Sequence, residues 1–344
     1  MSYNTLCGLF GKTRQAFFKQ LSLQEESLVK EEMILAVVKR IRAKANTHRW
    51  GARKLKVLVD EELMTLNMHV GRDHLFDILR ENGMLVRRRK RKFFTTQSHH
   101  WLHKYDNLII DMRLTAANQL WVADITYIYS NGIVYYLYLI TDAYSQKIVG
   151  WNLSHNLKAS SAVAALKMAL RNNQGRNEKL IHHSDRGVQY CSKVYVSLLQ
   201  KNKVDISMTR PGSPQENAIA ERINGILKEE WLYDTVFENL TQAKTNIKQI
   251  VATYNTYRPH NSLGNKTPEQ VHDLGFLRHE TVRVIGKSYS YKKRTACESH
   301  PLKSNNAYGQ SIIPWAVAPQ HCCPPLDRCP TKKAKTNDKA DKSY

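Results

Sequence analysis

The dipeptide Asn131-Gly132 separates two runs of β-branched and aromatic residues, 120–129 and 134–141. An Asn-Gly pair between two such runs is a strong signal for a tight β-hairpin, because both residues readily adopt the positive φ angles of a type I′ turn. We therefore predict two antiparallel strands joined by a two-residue turn.

The segments after the hairpin alternate between strand and helix patterns. Strands are predicted over 147–154, 180–183 and 204–208, and amphipathic helices over 160–172 and 192–201. Three strands in a meander, followed by alternating helices and strands, give a mixed five-stranded sheet with helices on its faces. This order predicts an α/β fold of the ribonuclease-H-like class.

An all-α region precedes the sheet. Apolar residues recur at helical spacing over 28–45, a second helix follows Gly51, and a third is predicted over 72–81 after the turn 67–71. Three basic helices with a tight turn before the last one predict a helix-turn-helix, whose final helix would enter the DNA major groove. The alternative is a small structural helical bundle.

Basic charge is distributed unevenly along the chain, whose formal net charge is +22. The net charge is +10 over residues 1–100, +4 over 101–280 and +8 over 281–344. This imbalance predicts a polyanionic partner, most simply double-stranded DNA, rather than an ordinary solvated basic surface. Six consecutive basic residues are predicted to line DNA phosphates: Arg87, Arg88, Arg89, Lys90, Arg91 and Lys92.

These patterns divide the chain into five predicted segments. They are an N-terminal extension (1–27), the helix-turn-helix domain (28–86), a basic linker (87–117), the core with its C-terminal helices (118–280) and a basic disordered tail (281–344). The cysteine spacing fits neither a disulfide framework nor a structural zinc module. No apolar run reaches the roughly 18 residues of a membrane span, so we predict a soluble, cytoplasmic protein.

Three carboxylates in the core are placed to converge. Asp124 lies in the first strand of the hairpin, Asp185 directly follows a strand, and Glu221 lies on a helix predicted over 217–230. Converged carboxylates repel one another unless a hard cation lies among them, and oxygen ligands suit magnesium. The three therefore form a candidate catalytic and metal-binding site for phosphoryl transfer, with two Mg²⁺ or Mn²⁺ ions.

Neighbouring polar residues compete with this assignment. Asp142 follows an apolar strand, and we predict that it forms a turn. Glu216 lies five residues before Glu221, about 140° away around a helix, and is interpreted as a loop or helix-start residue. His182 and His183 point to opposite faces of their strand and are interpreted as ordinary hydrogen-bonded histidines.

Several short motifs follow one another in the core and its C-terminal helices. They occupy 123–127, 141–145, 148–151, 183–190, 217–221, 254–255, 258–260, 262–263 and 267–268. Together they resemble the integrase-core transposases of bacterial insertion sequences, specifically the second-frame (OrfB-type) protein of the IS-three group. The match covers about residues 30–275, and residues 49–53 with the helices after them resemble the family's helix-turn-helix.

The resemblance implies a DDE transposase, which is both an endonuclease and a polynucleotidyl transferase. It identifies Asp124, Asp185 and Glu221 as the catalytic triad. Lys228, two helical turns after Glu221, matches the basic position that contacts DNA near the scissile phosphate. The implied reaction nicks the element's terminal inverted repeats and joins them to target DNA, without ATP. A homo-oligomer, a first-frame (OrfA-type) partner and a location on the bacterial nucleoid are also implied.

Further contacts and other functions stay open. Arg186 and Gln189, in the loop after Asp185, are predicted to contact the phosphate backbone. Arg258 and the residues after it either dock on the core or contact DNA. A phage- or retroelement-type integrase, an inactive DNA-binding regulator and a plain ribonuclease H are the alternatives. The intact triad, the added helix-turn-helix and the 35 residues between Asp185 and Glu221 favour the transposase.

Overall fold

Four helices precede the sheet in the computed structural model, which describes residues 3–87, 89, 101–173, 179–273 and 282–283. The predicted disordered tail lies outside these ranges except for 282–283. The helices are α1 (Tyr3–Leu9), α2 (Arg14–Lys44), α3 (Ala52–Met64) and α4 (Arg72–Glu81).

Helix α2 begins at Arg14, well before the predicted start at 28. The Oγ1 atom of Thr13 accepts a hydrogen bond from the Ala16 N–H at 3.1 Å, which caps the first turn. Only the second half of α2 is buried, through Ile34 and the apolar residues after it. The apolar periodicity therefore revealed only the buried half of the helix.

The rest of the described chain forms the sheet and the helices that cover it. None of the described helices is long and apolar enough to span a membrane. Short 3₁₀ turns lie at 214–217, 232–234 and 261–263. The regular elements are β1 (Arg113–Leu114), β2 (Leu120–Ser130), β3 (Ile133–Asp142), β4 (Ile148–Ser154), α5 (Ala159–Asn172), β5 (Ile181–Ser184), α6 (Lys193–Lys201), β6 (Asp205–Met208), α7 (Ala218–Glu230), α8 (Leu240–Thr256), α9 (Pro268–Asp273) and β7 (Val282–Arg283).

The central sheet has the strand order β4-β3-β2-β5-β6. Strands β2, β3 and β4 pair antiparallel, whereas β5 and β6 run parallel to β2 and to each other. Asn131 and Gly132 have φ angles of 47° and 73° and form the predicted turn. The mixed five-stranded, ribonuclease-H-like α/β sheet is therefore confirmed. Strands β1 and β7 form a separate antiparallel pair.

Helices cover both faces of the central sheet. Residues of β2 alternate between them, so that Trp121 and Ala123 pack with α5 and α6, while Ile128 packs with α7 and α8. Asp124 has the same parity as Ile128 and therefore points toward the α7 side. This alternation fixes the face on which the acidic site lies.

The N-terminal helices share a hydrophobic cluster with the α7 side of the core. Trp50 is fully buried, and its ring centroid lies 6.2 Å from that of Trp231 and 5.7 Å from that of Tyr257. The Trp231 indole Nε1 donates a hydrogen bond to the Ala45 carbonyl at 2.9 Å. The helical region is thus packed directly onto the end of α7. Independent folding of 28–86 stays a prediction.

A buried ion cluster reinforces this contact. The Arg258 Nε and Nη2 atoms donate to the two Glu230 carboxylate oxygens at 2.8 and 2.6 Å, and Lys54 Nζ on α3 donates to the same carboxylate at 2.6 Å. Burial would raise the pKa of Glu230, but Arg258 and Lys54 outweigh it and lower that pKa. Of the two roles left open for Arg258, the structure supports docking.

Gly150 on β4 lets α5 approach the sheet closely. A Cβ atom here would lie 2.8 Å from the Ala169 Cβ and 2.9 Å from the Ala169 backbone N. We expect Gly150→Ala to lower the free energy of unfolding by about 1–3 kcal/mol through overpacking, as measured by urea denaturation. Gly225→Ala is the matched control, because its Cβ would meet nothing within 4 Å. Equal losses in both variants would contradict the packing argument.

Candidate active site

The pairing of β2 with β5 sets two aspartates side by side. The parallel register runs from Leu120↔Ile181 to Ala123↔Ser184, and the next residue along each chain is an acid. Asp124 continues β2, and Asp185 begins the loop after β5. Two predicted triad members therefore meet at the point where the parallel pairing ends.

The aspartate pair is electrostatically strained. Burial raises the pKa of Asp124 to about 7, with the Asp185 charge as the next cause and the Glu221 charge as a smaller one. Hydrogen bonds from Asn224 and from the Ile125 N–H act in the opposite direction on this pKa. A carboxyl held this way is a candidate for cation binding, because a positive charge would relieve the repulsion.

Helix α7 turns one polar face toward β2. The Asn224 Nδ2 atom donates to Asp124 Oδ2 at 2.7 Å, and Asn217 Nδ2 donates to the Ala123 carbonyl at 3.0 Å. Asn217 ends the 3₁₀ turn before α7, and Glu221, in the first turn of α7, is exposed. Desolvation raises the pKa of Glu221. Burial lowers the pKa of Lys228, while the Asp124 charge opposes that shift. Lys228 and Asp124 therefore interact electrostatically.

Asn224 is a site residue that the sequence interpretation missed. It lies three residues after Glu221 and four before Lys228, and this spacing places all three on one helical face. That spacing was the available signal, but an Asn in a helix carries no specific chemistry until its partner is known. The partner, Asp124, lies 100 residues earlier in the chain.

The loop after Asp185 is tied to the protein backbone. Asp185 Oδ1 accepts a hydrogen bond from the Gly187 N–H at 3.0 Å. Arg186 Nε donates to the Thr209 carbonyl at 2.6 Å, and Gln189 Nε2 donates to the Leu157 carbonyl at 2.8 Å. Both predicted DNA contacts are therefore partly engaged within the protein, and their binding to DNA stays a prediction.

The basic linker is described only in part. Arg87 is exposed, and its carbonyl accepts a hydrogen bond from Arg49 at 3.1 Å. Arg89 pairs with Asp234, and its guanidinium lies 5.5 Å from the Tyr233 ring centroid. The remaining predicted phosphate contacts lie outside the described residues: Arg88, Lys90, Arg91 and Lys92.

The two competing acids have structural roles. Asp142 is fully buried and accepts hydrogen bonds from the Asn118 N–H at 2.6 Å and from the Ser145 N–H at 2.7 Å, which confirms its predicted turn role. Glu216 lies in the 3₁₀ turn before α7 and accepts hydrogen bonds from the Arg210 backbone N–H and from its guanidinium Nε. Neither acid belongs to the site.

The two histidines of β5 are buried and hydrogen-bonded, as predicted. His182 Nε2 lies 2.9 Å from the Tyr195 hydroxyl, and His183 Nδ1 lies 2.9 Å from the Ser207 hydroxyl. Burial lowers the pKa of His182 to about 3 and that of His183 to about 4. Both rings are therefore neutral at physiological pH and add no positive charge beside the aspartates.

The donor atoms suit a hard divalent cation. Asp124 and Asp185 supply carboxylate oxygens, the ligand type that magnesium and manganese prefer. Within the described residues, however, no three His, Cys, Asp or Glu side chains are grouped closely enough to hold one ion.

Comparisons with known proteins agree with this architecture. The chain matches the family description "Integrase core domain" over 115–214, and a second family of that name over 202–268. It is 31% identical over 265 residues to a 31 kDa protein of insertion element IS600 from Shigella sonnei. This alignment covers 76% of this chain and 96% of that protein.

A transposase and a solved integrase core domain are also similar to this chain, over different fractions of its length. The transposase for insertion sequence element IS904 from Lactococcus lactis is 31% identical over 224 residues, covering 64% of this chain and 86% of that protein. The HTLV-2 integrase catalytic core domain, solved in complex with magnesium, aligns with 46% of this chain and 97% of its own length. That alignment has 21% identity and a TM-score of 0.37.

Proposed function

The chain belongs to the IS3-group insertion-sequence transposases, which have an integrase-like catalytic core, and we propose that it nicks DNA at the ends of an insertion sequence and joins those ends to target DNA. The observation that carries this proposal is the adjacency of Asp124 and Asp185 where the β2–β5 pairing ends. Two like charges held together where this parallel pairing ends are poor for stability but suited to binding a divalent cation.

Each residue of the site has a proposed role. Asp124 and Asp185 hold the divalent ions, and Glu221 completes the ligand set by rotation of its exposed side chain. When bound, two Mg²⁺ or Mn²⁺ ions would activate the attacking hydroxyl and stabilise the leaving 3′-oxygen. Lys228 contacts a phosphate oxygen beside the reacting group, where its half-buried ammonium attracts the substrate's negative charge.

DNA binding is proposed for the surfaces around this site. Helix α4 exposes Arg72 and Arg80, which pair with Asp73 and Asp77 on the same helix. Exposed pairs of this kind contribute little to stability, so the arginines can exchange their partners for DNA phosphates. Arg186, Gln189 and the basic residues 87–92 are proposed to add further phosphate contacts.

A strand-joining assay tests the proposal. The full chain is incubated with Mg²⁺ or Mn²⁺, a duplex carrying the element's terminal inverted repeat and a target plasmid, without ATP. We expect nicked ends and joined products, both of which disappear when EDTA is added. A duplex with a scrambled terminus is the control. Degradation without joining, or no cleavage with either metal, would overturn the proposal.

Assembly follows from the same chemistry. Joining two ends of one element requires both ends to be held at once, so we propose a homo-oligomer of at least two copies on DNA. A first-frame (OrfA-type) partner and a location on the nucleoid remain predictions from the resemblance. Size measurement on an end-containing duplex, compared with the free protein, tests the oligomer.

A further inference from the structure

Asn224 is a polar side chain that helix α7 buries against the aspartate pair. Only 5% of its surface is exposed. Its Nδ2 atom donates to Asp124 Oδ2 at 2.7 Å, while the Ile125 N–H donates to Asp124 Oδ1 at 2.9 Å. Each carboxylate oxygen of Asp124 therefore receives one hydrogen bond.

These two hydrogen bonds fix the orientation of the Asp124 carboxylate. The Asp185 charge repels it, and an unrestrained side chain would rotate away from that charge. A carboxylate has about four lone-pair sites, so one hydrogen bond to each oxygen leaves acceptor sites for a cation. The arrangement holds Asp124 next to Asp185 without saturating it.

The chemistry of an amide suits this position. A Lys or Arg side chain would form an ion pair with Asp124 and compete with a divalent cation for it. The neutral Asn224 amide holds the oxygen without adding positive charge. Its Oδ1 atom is buried and has no hydrogen-bond donor within the described residues.

Attachment of α7 to the sheet does not depend on Asn224. Asn217, at the end of the 3₁₀ turn that leads into α7, already bonds to the backbone of β2 through the Ala123 carbonyl. Ala220, Ile223 and Leu227 bury their apolar side chains beneath the helix. The bond from Asn224 goes to a side chain of the site rather than to the sheet backbone.

We propose that Asn224 is a positioning residue, which holds Asp124 in the orientation that binds a divalent cation. This inference rests on the proposed function of Asp124 and Asp185 as cation ligands. Partners that orient metal ligands typically change metal affinity or activity by about 10- to 100-fold when they are removed.

The test measures cation binding directly on the full chain. Asn224→Leu keeps the side-chain volume and removes the amide, and we expect the affinity for Mn²⁺, measured by electron paramagnetic resonance, to fall about 10- to 100-fold. Strand joining should fall with it and recover partly at high Mn²⁺. Asn255→Leu is the matched control: Asn255 is similarly buried, but among the described residues its side chain bonds to the Ile148 backbone alone, at 3.0 Å in both directions.

The control separates positioning from packing. Asn255→Leu should lower the thermal stability and leave the Mn²⁺ affinity unchanged. An Asn224→Leu protein that binds Mn²⁺ as tightly as the parent overturns the inference. If that variant does not fold, Asn224→Ala, which adds no volume, takes its place and is expected to show the same loss of Mn²⁺ affinity. Unchanged Mn²⁺ affinity in Asn224→Ala would equally overturn the inference. A parent that binds Mn²⁺ but joins no DNA overturns the proposed function instead.

Discussion

Asp185→Asn is expected to abolish strand nicking and joining, with a loss of about four orders of magnitude in rate, as for removal of a central catalytic group. The reason is local: Asp185 is the acid that β5 places beside Asp124, and an amide in its place removes the negative charge that a divalent cation requires. DNA binding should persist, because the variant changes none of the proposed phosphate contacts. Single-turnover joining and gel-shift assays measure the two effects separately.

The same variant has a second expected effect that does not depend on turnover. In the metal-free protein the Asp185 charge helps to raise the pKa of Asp124 to about 7, so the variant should move that pKa back toward its ordinary value. A raised carboxyl pKa means that stability is lost as the pH rises through about 4 to 7. Asp185→Asn should therefore unfold at a higher temperature than the parent at pH 7 in EDTA.

A surface aspartate provides the control for this prediction. Asp205, on the neighbouring strand β6, makes a 3.5 Å pair with the exposed Lys179 and lies outside the site. Asp205→Asn should retain joining activity and show no gain in stability. An Asp185→Asn protein that joins DNA at the parent's rate would show that the catalytic assignment is wrong.

Arg258→Met is expected to lower the free energy of unfolding by about 3–5 kcal/mol, the usual cost of removing one partner of a buried ion pair. Glu230 would keep only Lys54, in an environment where both Glu230 and Arg258 are less than 10% exposed. Arg258 and Lys54 lower the pKa of Glu230, so this stabilisation is present above about pH 4 and is lost as the pH falls through the lowered pKa. Urea denaturation at pH 7 and at a series of pH values below 4 measures both features.

Two variants sharpen the interpretation of that loss. Arg40→Met removes an exposed pair with Glu62 and should cost no more than about 1 kcal/mol. The double variant Arg258→Met/Glu230→Met should recover part of the stability, because no charge is then left buried without its main partner. Equal losses in Arg258→Met and Arg40→Met would contradict a stabilising role for the buried cluster.

The hairpin and the strand order were predictable because their determinants are local. The Asn131-Gly132 turn and the apolar runs on either side of it specify β2 and β3 through neighbouring residues alone. The triad candidates were predictable for a related reason, since acids that end strands stand out from their apolar surroundings. Their side-by-side placement, however, depends on the parallel register of β2 and β5, which more than 50 residues of intervening chain leave unspecified.

Long-range polar contacts could not be predicted in this way. Lys54 and Glu230 are 176 residues apart, and Glu230 and Arg258 are 28 apart, so no spacing rule connects them. Arg258 stayed undecided between docking and DNA contact until its carboxylate partner was visible. Asn224 had the right helical spacing, but its chemistry depends on Asp124. In each case the sequence contains the residue, and only the folded chain supplies the partner.

Helix α7 connects the N-terminal helices to the candidate site. Its 13 residues span about 20 Å, at 1.5 Å per residue. At its C-terminal end, Glu230 accepts hydrogen bonds from Lys54 and Arg258. Its N-terminal half carries Glu221 and Asn224, and Asn224 bonds to Asp124. The contact with α3 and the third predicted acid are therefore parts of one continuous helix.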